Sequence, residues 1–173
     1  TLPSVKFVDV TESAGMNFLH VNGMKGAKLL PETMGSGVAF LDYDGDGWLD
    51  LFKGNESTDA ADPDWCELFH NNRNGTFTEV ARASGIRVAQ FVKGVGSADY
   101  DHDGRPDLYL SVRGGPNLLF HNDGPDPAAP RGSGQWKFSE VGQKAGVTEP
   151  IYSFPTWFFD YDNDGWEDLF VSG

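Results

Sequence analysis

Asp42-Tyr43-Asp44-Gly45-Asp46-Gly47-Trp48-Leu49-Asp50-Leu51 is the stretch on which the reading of this chain turns, because it occurs three times. It recurs as Asp99-Tyr100-Asp101-His102-Asp103-Gly104-Arg105-Pro106-Asp107-Leu108 and as Asp160-Tyr161-Asp162-Asn163-Asp164-Gly165-Trp166-Glu167-Asp168-Leu169. Each copy reads D-Y-D-x-D-G-x-x-D-L, with carboxylates at loop positions 1, 3, 5 and 9 and glycine at position 6. Carboxylates packed this closely repel one another, and a hard divalent cation is the usual reason to hold them together. Calcium takes six to eight oxygen ligands in flexible geometry, which a loop of alternating Asp can supply. The glycine allows the sharp turn that returns position 9 to the ion. The competing reading is an acidic Asx turn without metal; four aligned carboxylates exceed what such a turn requires.

An EF-hand shares positions 1, 3, 5 and 6 but needs a bidentate Glu at position 12. Here position 12 is Lys53, Leu110 and Val171. The residues after position 9 are Leu-Phe, Leu-Tyr and Leu-Phe, which suit a strand better than an exiting helix. The EF-hand is rejected in favour of a strand–loop–strand turn.

The 173 residues suffice for a domain with a core. Of the 26 acidic side chains, twelve are the Asp residues at positions 1, 3, 5 and 9 of the three loops, and three bound dications would bring the formal charge from −13 to −7. Such a surface suits neither nucleic acid nor anionic membrane, which both need clustered Lys and Arg. No apolar run approaches the ~20 residues of a membrane span. The chain opens at Thr1 without a signal peptide, which reads as a mature or trimmed form. A single cysteine, Cys66, excludes a disulfide framework and Cys-based zinc motifs. Weak multi-Asp sites fill only where calcium is near millimolar, so the expected location is extracellular, cell-surface or periplasmic.

Repeats extend beyond the loops. Phe7–Met16, Phe77–Ile86 and Phe138–Val147 align, with eight residues from Phe to Gly in each. From that Gly to the next loop's first Asp is 27, 14 and 14 residues, so the first interval holds an insertion within Asn17–Ser36. Leu68-Phe69-His70-Asn71 and Leu119-Phe120-His121-Asn122 form a third shared unit, and the loops are spaced 57 and 61 residues apart. Each period reads as four short strands. Gly37–Leu41, Gly94–Ala98 and Thr156–Phe159 lead into the loops; Leu51-Phe52, Leu108–Val112 and Leu169–Val171 lead out. Leu68–His70 and Leu118–His121 supply third strands, and Phe77–Val80 and Phe138–Val141 fourth strands. Asn74-Gly75 is a favoured hairpin pair, whereas the Pro- and Gly-rich Gly124–Gly134 lengthens the second hairpin into an exposed loop. No segment carries a helical stripe, and Thr11–Gly15 and its equivalents could form one short turn.

Short strands, four to a period, with radial repetition describe an all-β β-propeller. The repeats resemble the VCBS/FG-GAP family, and the A-G-hydrophobic unit ahead of D-Y-D-x-D-G-x-x-D-L resembles its cartilage-acidic-protein/ASPIC-UnbV subgroup. The resemblance implies a calcium ligand set of Asp42, Asp44, Asp46 and Asp50 with the Trp48 carbonyl. The second site would use Asp99, Asp101, Asp103 and Asp107 with the Arg105 carbonyl. The third would use Asp160, Asp162, Asp164 and Asp168 with the Trp166 carbonyl. Integrin α-subunit heads carry a similar loop and are a more distant likeness.

The expected organisation is one propeller segment: a lone fourth strand in residues 1–16, blades at 36–86 and 94–147, and a half blade at 155–173. Propellers typically close with four to eight blades. The expectation is therefore either a piece of a longer polypeptide or several copies that close a ring, with the piece favoured.

His70 and His121 occupy one repeat position and read as structural. Tyr43, Tyr100 and Tyr161 read as packing beside their loops. Trp48 and Trp166 could expose aromatic side chains to a sugar or partner, or pack between blades. Asn55-Glu56-Ser57 and Asn74-Gly75-Thr76 are glycosylation sequons in a suitable host. No G-x-S-x-G elbow, phosphate loop or H-E-x-x-H occurs, and the paired carboxylates serve as cation ligands. The functional expectation is a non-enzymatic extracellular interaction or adhesion scaffold with about three structural calcium ions and a protein or glycan ligand. The alternative is a lectin-like propeller or an accessory domain of a polysaccharide-active enzyme.

Overall fold

The computed structural model describes residues 4–23, 26–27, 30–56, 65–131 and 133–173. Alternating apolar residues between the turn signals form β1 (Val38–Leu41), β2 (Asp50–Lys53), β3 (Glu67–Asn71) and β4 (Phe77–Glu79). The next period forms β5 (Val92–Ala98), β6 (Asp107–Val112), β7 (Leu118–Pro125) and β8 (Trp136–Glu140), and the last β9 (Thr156–Phe159) and β10 (Asp168–Val171). Helix is confined to single turns, α1 (Leu30–Thr33) in the insertion and α2 (Gly142–Ala145) after β8. Two four-stranded sheets run β1-β2-β3-β4 and β5-β6-β7-β8, while β9 pairs with β10, every pairing antiparallel. This is an all-β β-propeller segment of consecutive blades. Equivalent registers open each acidic loop: Leu41 faces Asp50, Ala98 faces Asp107, and Phe159 faces Asp168.

The core lies between blades. Leu41, Phe52 and Leu68 of the first sheet meet Leu108, Leu110, Phe120 and Phe138 of the second, with Ile86 and Val88 between them. The opposite face of the second sheet takes Phe158, whose ring lies against Gly96 and edge-on to Tyr109 at 6.3 Å. First strands of successive blades approach backbone to backbone. A Cβ on Gly37 would sit 2.5 Å from the Val95 nitrogen, and one on Gly94 2.6 Å from the Phe154 oxygen. Glycine at these two equivalent positions is what lets the innermost strands converge.

A second link repeats from blade to blade. The A-G units form closed turns in which the Ala14, Ser84 and Ala145 N–H groups donate to the carbonyls of Val10, Val80 and Val141. The turn of one repeat then docks on the fourth strand of the next: Phe77 N–H donates to Ala14 C=O at 2.9 Å, and Phe138 N–H to Ser84 C=O at 2.8 Å. Residues 7–10, expected as a lone fourth strand, form no strand, and Phe7 is 92% exposed. The reason is pairing: among the described residues no third strand lies beside them, and only the turn at 11–15 finds a partner, in β4.

The β3–β4 turn is also wider than an Asn-Gly pair predicts. It spans Asn72–Thr76, closed by Asn72 N–H to Thr76 C=O, and the left-handed residues are Arg73 and Gly75 rather than Asn74. The two sequons differ in kind. Asn74 is exposed, whereas Asn55 is buried and its amide is engaged with Val21, Glu56 and Leu19; Ser57 lies outside the described residues. Val38 and Phe40 on β1, and Trp157, Phe159 and Phe170 on the half blade, remain large exposed apolar side chains.

Candidate metal centres

Each D-x-D-x-D-G-x-x-D segment folds through the same hydrogen bonds. The first Asp clamps the turn: Asp42, Asp99 and Asp160 each accept from the backbone N–H groups of loop positions 5 and 6 at 2.8–3.0 Å. The position-5 carboxylates accept from the N–H of Trp48, Arg105 and Trp166 at 2.8–3.0 Å, which fixes the backbone where it enters position 7. The position-9 Asp closes the loop by accepting from the N–H of Tyr43, Tyr100 and Tyr161. Positive φ occurs at position 6, as the glycines require, and also at position 4, where Gly45, His102 and Asn163 have φ of 67°, 56° and 59°. The sequence reading missed this second left-handed site, although Gly and Asn are the residues that adopt it most readily.

This folding gathers eleven of the twelve expected carboxylates into close groups, Asp164 being in none of them. Carboxylate oxygens of Asp42, Asp44 and Asp46 lie within 4.8 Å of one another, as do those of Asp99, Asp101 and Asp107, and of Asp160, Asp162 and Asp168. Asp50 joins Asp44 in a further group with His70, and Asp103 joins Asp101 in one with His121. The histidines, read from the sequence as scaffold, therefore face the carboxylates. His70 Nδ1 is 3.4 Å from Asp50 and 3.5 Å from Asp44, and His121 Nε2 is 3.1 Å from Asp101. Their recurrence in the shared Leu-Phe-His-Asn unit was the available signal. Arg73 pairs with Asp46 and Arg105 with Asp103. Trp166 stacks on His102 of the preceding loop, with centroids 4.1 Å apart, so this indole packs between blades.

Position 9 is the electrostatic centre. Asp50 is 1% exposed and Asp107 is 0% exposed, and each accepts from a third-strand N–H (Asn71, Asn122) at 2.7 Å. No Lys or Arg pairs with either among the described residues. Burial pushes both carboxyls up from 3.8 to about 6, with Asp44 and Asp101 respectively adding to the rise. Burial lowers the His121 imidazole, but its hydrogen bond to Asp123 and the charges of Asp107 and Asp101 outweigh it and leave a net rise. Asp168 is exposed, with no third strand beside it among the described residues.

The pH dependence follows. Without metal, a carboxyl whose folded value is raised stabilises the fold below the unfolded value near 3.8 and loses that contribution as pH rises through about 6. A cation must displace those protons, so its affinity falls as pH falls. Calcium titrations at pH 5.5 and 7.5 are expected to show weaker binding at the lower pH, with proton release; equal affinity would contradict the assignment of Asp50 and Asp107 as ligands.

Strands in fours, blades linked by A-G turns and acidic loops between first and second strands define a repeat propeller with candidate calcium loops. Residues 42–110 match the FG-GAP-like repeat family. The chain is similar to cartilage acidic protein 1 of Xenopus tropicalis, with 30% identity over 134 residues, 76% of this chain and 18% of the relative. It is also similar to cartilage acidic protein 1 of Mus musculus, with 34% identity over 89 residues, 51% of this chain and 13% of the relative. The chain thus spans less than a fifth of the length of these relatives. No helix among the described residues is long and apolar enough to cross a membrane.

Proposed function

We propose that this chain is a calcium-stabilised propeller segment working as an extracellular interaction scaffold, with one ion in each acidic loop. Asp42, Asp44, Asp46 and Asp50 with the Trp48 carbonyl hold the first ion. Asp99, Asp101, Asp103 and Asp107 with the Arg105 carbonyl hold the second, and Asp160, Asp162, Asp164 and Asp168 with the Trp166 carbonyl the third. The observation that carries this reading is the pair of buried position-9 carboxylates without a Lys or Arg partner, Asp107 grouped with Asp99 and Asp101, and Asp50 with Asp44 and His70. Burying an uncompensated charge is costly, and a dication supplies the compensation. The loops join the first and second strands of each blade, so an ion there locks a hairpin and does not open a reactive face.

Residues 36–86, 94–147 and 155–173 act as successive blade units, and the exposed Val38–Phe40 and Trp157–Phe170 faces are covered by further blades. The weak, carboxylate-rich loops suit millimolar calcium, which places the protein outside the cytosol. Limited proteolysis tests the structural role. In millimolar calcium the chain is expected to resist cleavage within 42–50, 99–107 and 160–168, and in chelator these loops are expected to be cut first. Equal cleavage under both conditions would overturn the reading.

A further inference from the structure

The second blade's hairpin extends well past the length of the first blade's turn at Asn72–Thr76. It leans toward the first blade, where Gln135 Nε2 donates to Ala83 C=O at 2.8 Å. Between the hairpin and the outer part of the first blade lies a cavity of about 430 Å³, within the usual range of small-molecule sites. A cavity of about 400 Å³ recurs at the equivalent place in the second blade, with Tyr100, Asp101 and His121 where the first has Tyr43, Asp44 and His70.

The walls of the first cavity are of two kinds. Trp136, partly exposed, stands as an aromatic wall buttressed edge-on by Tyr43 at 6.2 Å. The facing groups are planar and polar: the Asp44 carboxylate, the His70 imidazole, the Arg73 guanidinium and the Gln135 amide. His70 Nδ1 is buried and makes no hydrogen bond among the described residues. Arg73 gives Nε and one terminal nitrogen to Asp46, keeping its other terminal nitrogen free of that pair. Such groups donate to and accept from vicinal hydroxyls, while an indole face takes the apolar C–H face of a pyranose ring. Asp44 opposes an anion and Arg73 opposes a cation. We infer that this inter-blade cavity binds a neutral, hexose-sized sugar, with Trp136 as the stacking platform and Arg73 as a hydroxyl donor. The inference deepens the scaffold reading by naming the ligand class, and it rests on that reading because Asp44 is shared with the first calcium loop.

The test is calorimetric titration of the full chain in millimolar calcium with D-glucose, D-galactose, D-mannose and N-acetyl-D-glucosamine. At least one is expected to bind. Trp136→Ala and Arg73→Gln are each expected to weaken it about tenfold, while Trp136→Phe retains most of the affinity. Glu12→Ala, on an exposed turn outside the cavity, leaves binding unchanged. Because Trp136 packs against the core and Arg73 pairs with Asp46 of the first acidic loop, sugar binding is compared only among variants whose melting in calcium matches the parent. Failure of all four sugars, preference for an anionic saccharide, or binding undiminished in Arg73→Gln and in a folded Trp136→Ala would overturn the proposal. The calcium-dependent melting shift, measured on the same variants, separates the two readings: its presence without sugar binding sinks the sugar site alone, and its absence sinks the calcium scaffold.

Discussion

Chelating calcium is expected to lower the unfolding free energy of this chain by about 4–8 kcal/mol. An ion present at ten to a hundred times its Kd stabilises the folded state by about 1.4–2.7 kcal/mol per site, and the three loops are separate sites on separate hairpins. That sum is comparable to the whole stability of an ordinary domain, about 5–15 kcal/mol. Removal of the ions also leaves the clustered carboxylates of the first two loops with only Arg73, Arg105, His70 and His121 beside them. Thermal unfolding in millimolar calcium and in chelator measures the loss. The expected result is a melting temperature that falls steeply in chelator and returns with added calcium. An unchanged curve would return the loops to acidic turns.

Asp107→Ala is expected to cost about 3–5 kcal/mol in calcium. The side chain is fully buried and accepts from the N–H groups of Tyr100 and Asn122. Truncation strands both donors, at about 1–3 kcal/mol each, and removes a charged ligand from the second loop. Asp107→Asn keeps an oxygen that can accept one of these bonds, so it recovers part of the fold without recovering the second ion. Glu12→Ala, on an exposed turn, stays within about 0.5 kcal/mol of the parent. Equal stability of Asp107→Ala and the parent in denaturant titrations would show that position 9 is not the hub of its loop.

The sheets were legible because each strand carries a short apolar alternation bracketed by acidic or glycine-rich turns, and because three copies align. Phe7–Thr11 was misread for the same reason: its sequence matches Phe77–Val80, but a strand needs a neighbour, and pairing is not written in the segment itself. The carboxylate clusters were legible from spacing alone, since a loop with left-handed turns at fixed positions must bring alternate Asp side chains together. His70 and His121 were not, because they reach the clusters across the sheet from the third strand, and only the β2–β3 and β6–β7 registers set that distance. Gly37 and Gly94 likewise show their purpose only when neighbouring blades meet backbone to backbone.

The central claim is one calcium ion per acidic loop, and equilibrium dialysis with elemental counting of bound calcium tests it most directly. At millimolar free calcium and neutral pH the account predicts three ions per chain for the parent and two for Asp107→Asn. A parent that holds no calcium, or an Asp107→Asn variant that holds as many ions as the parent, would contradict it.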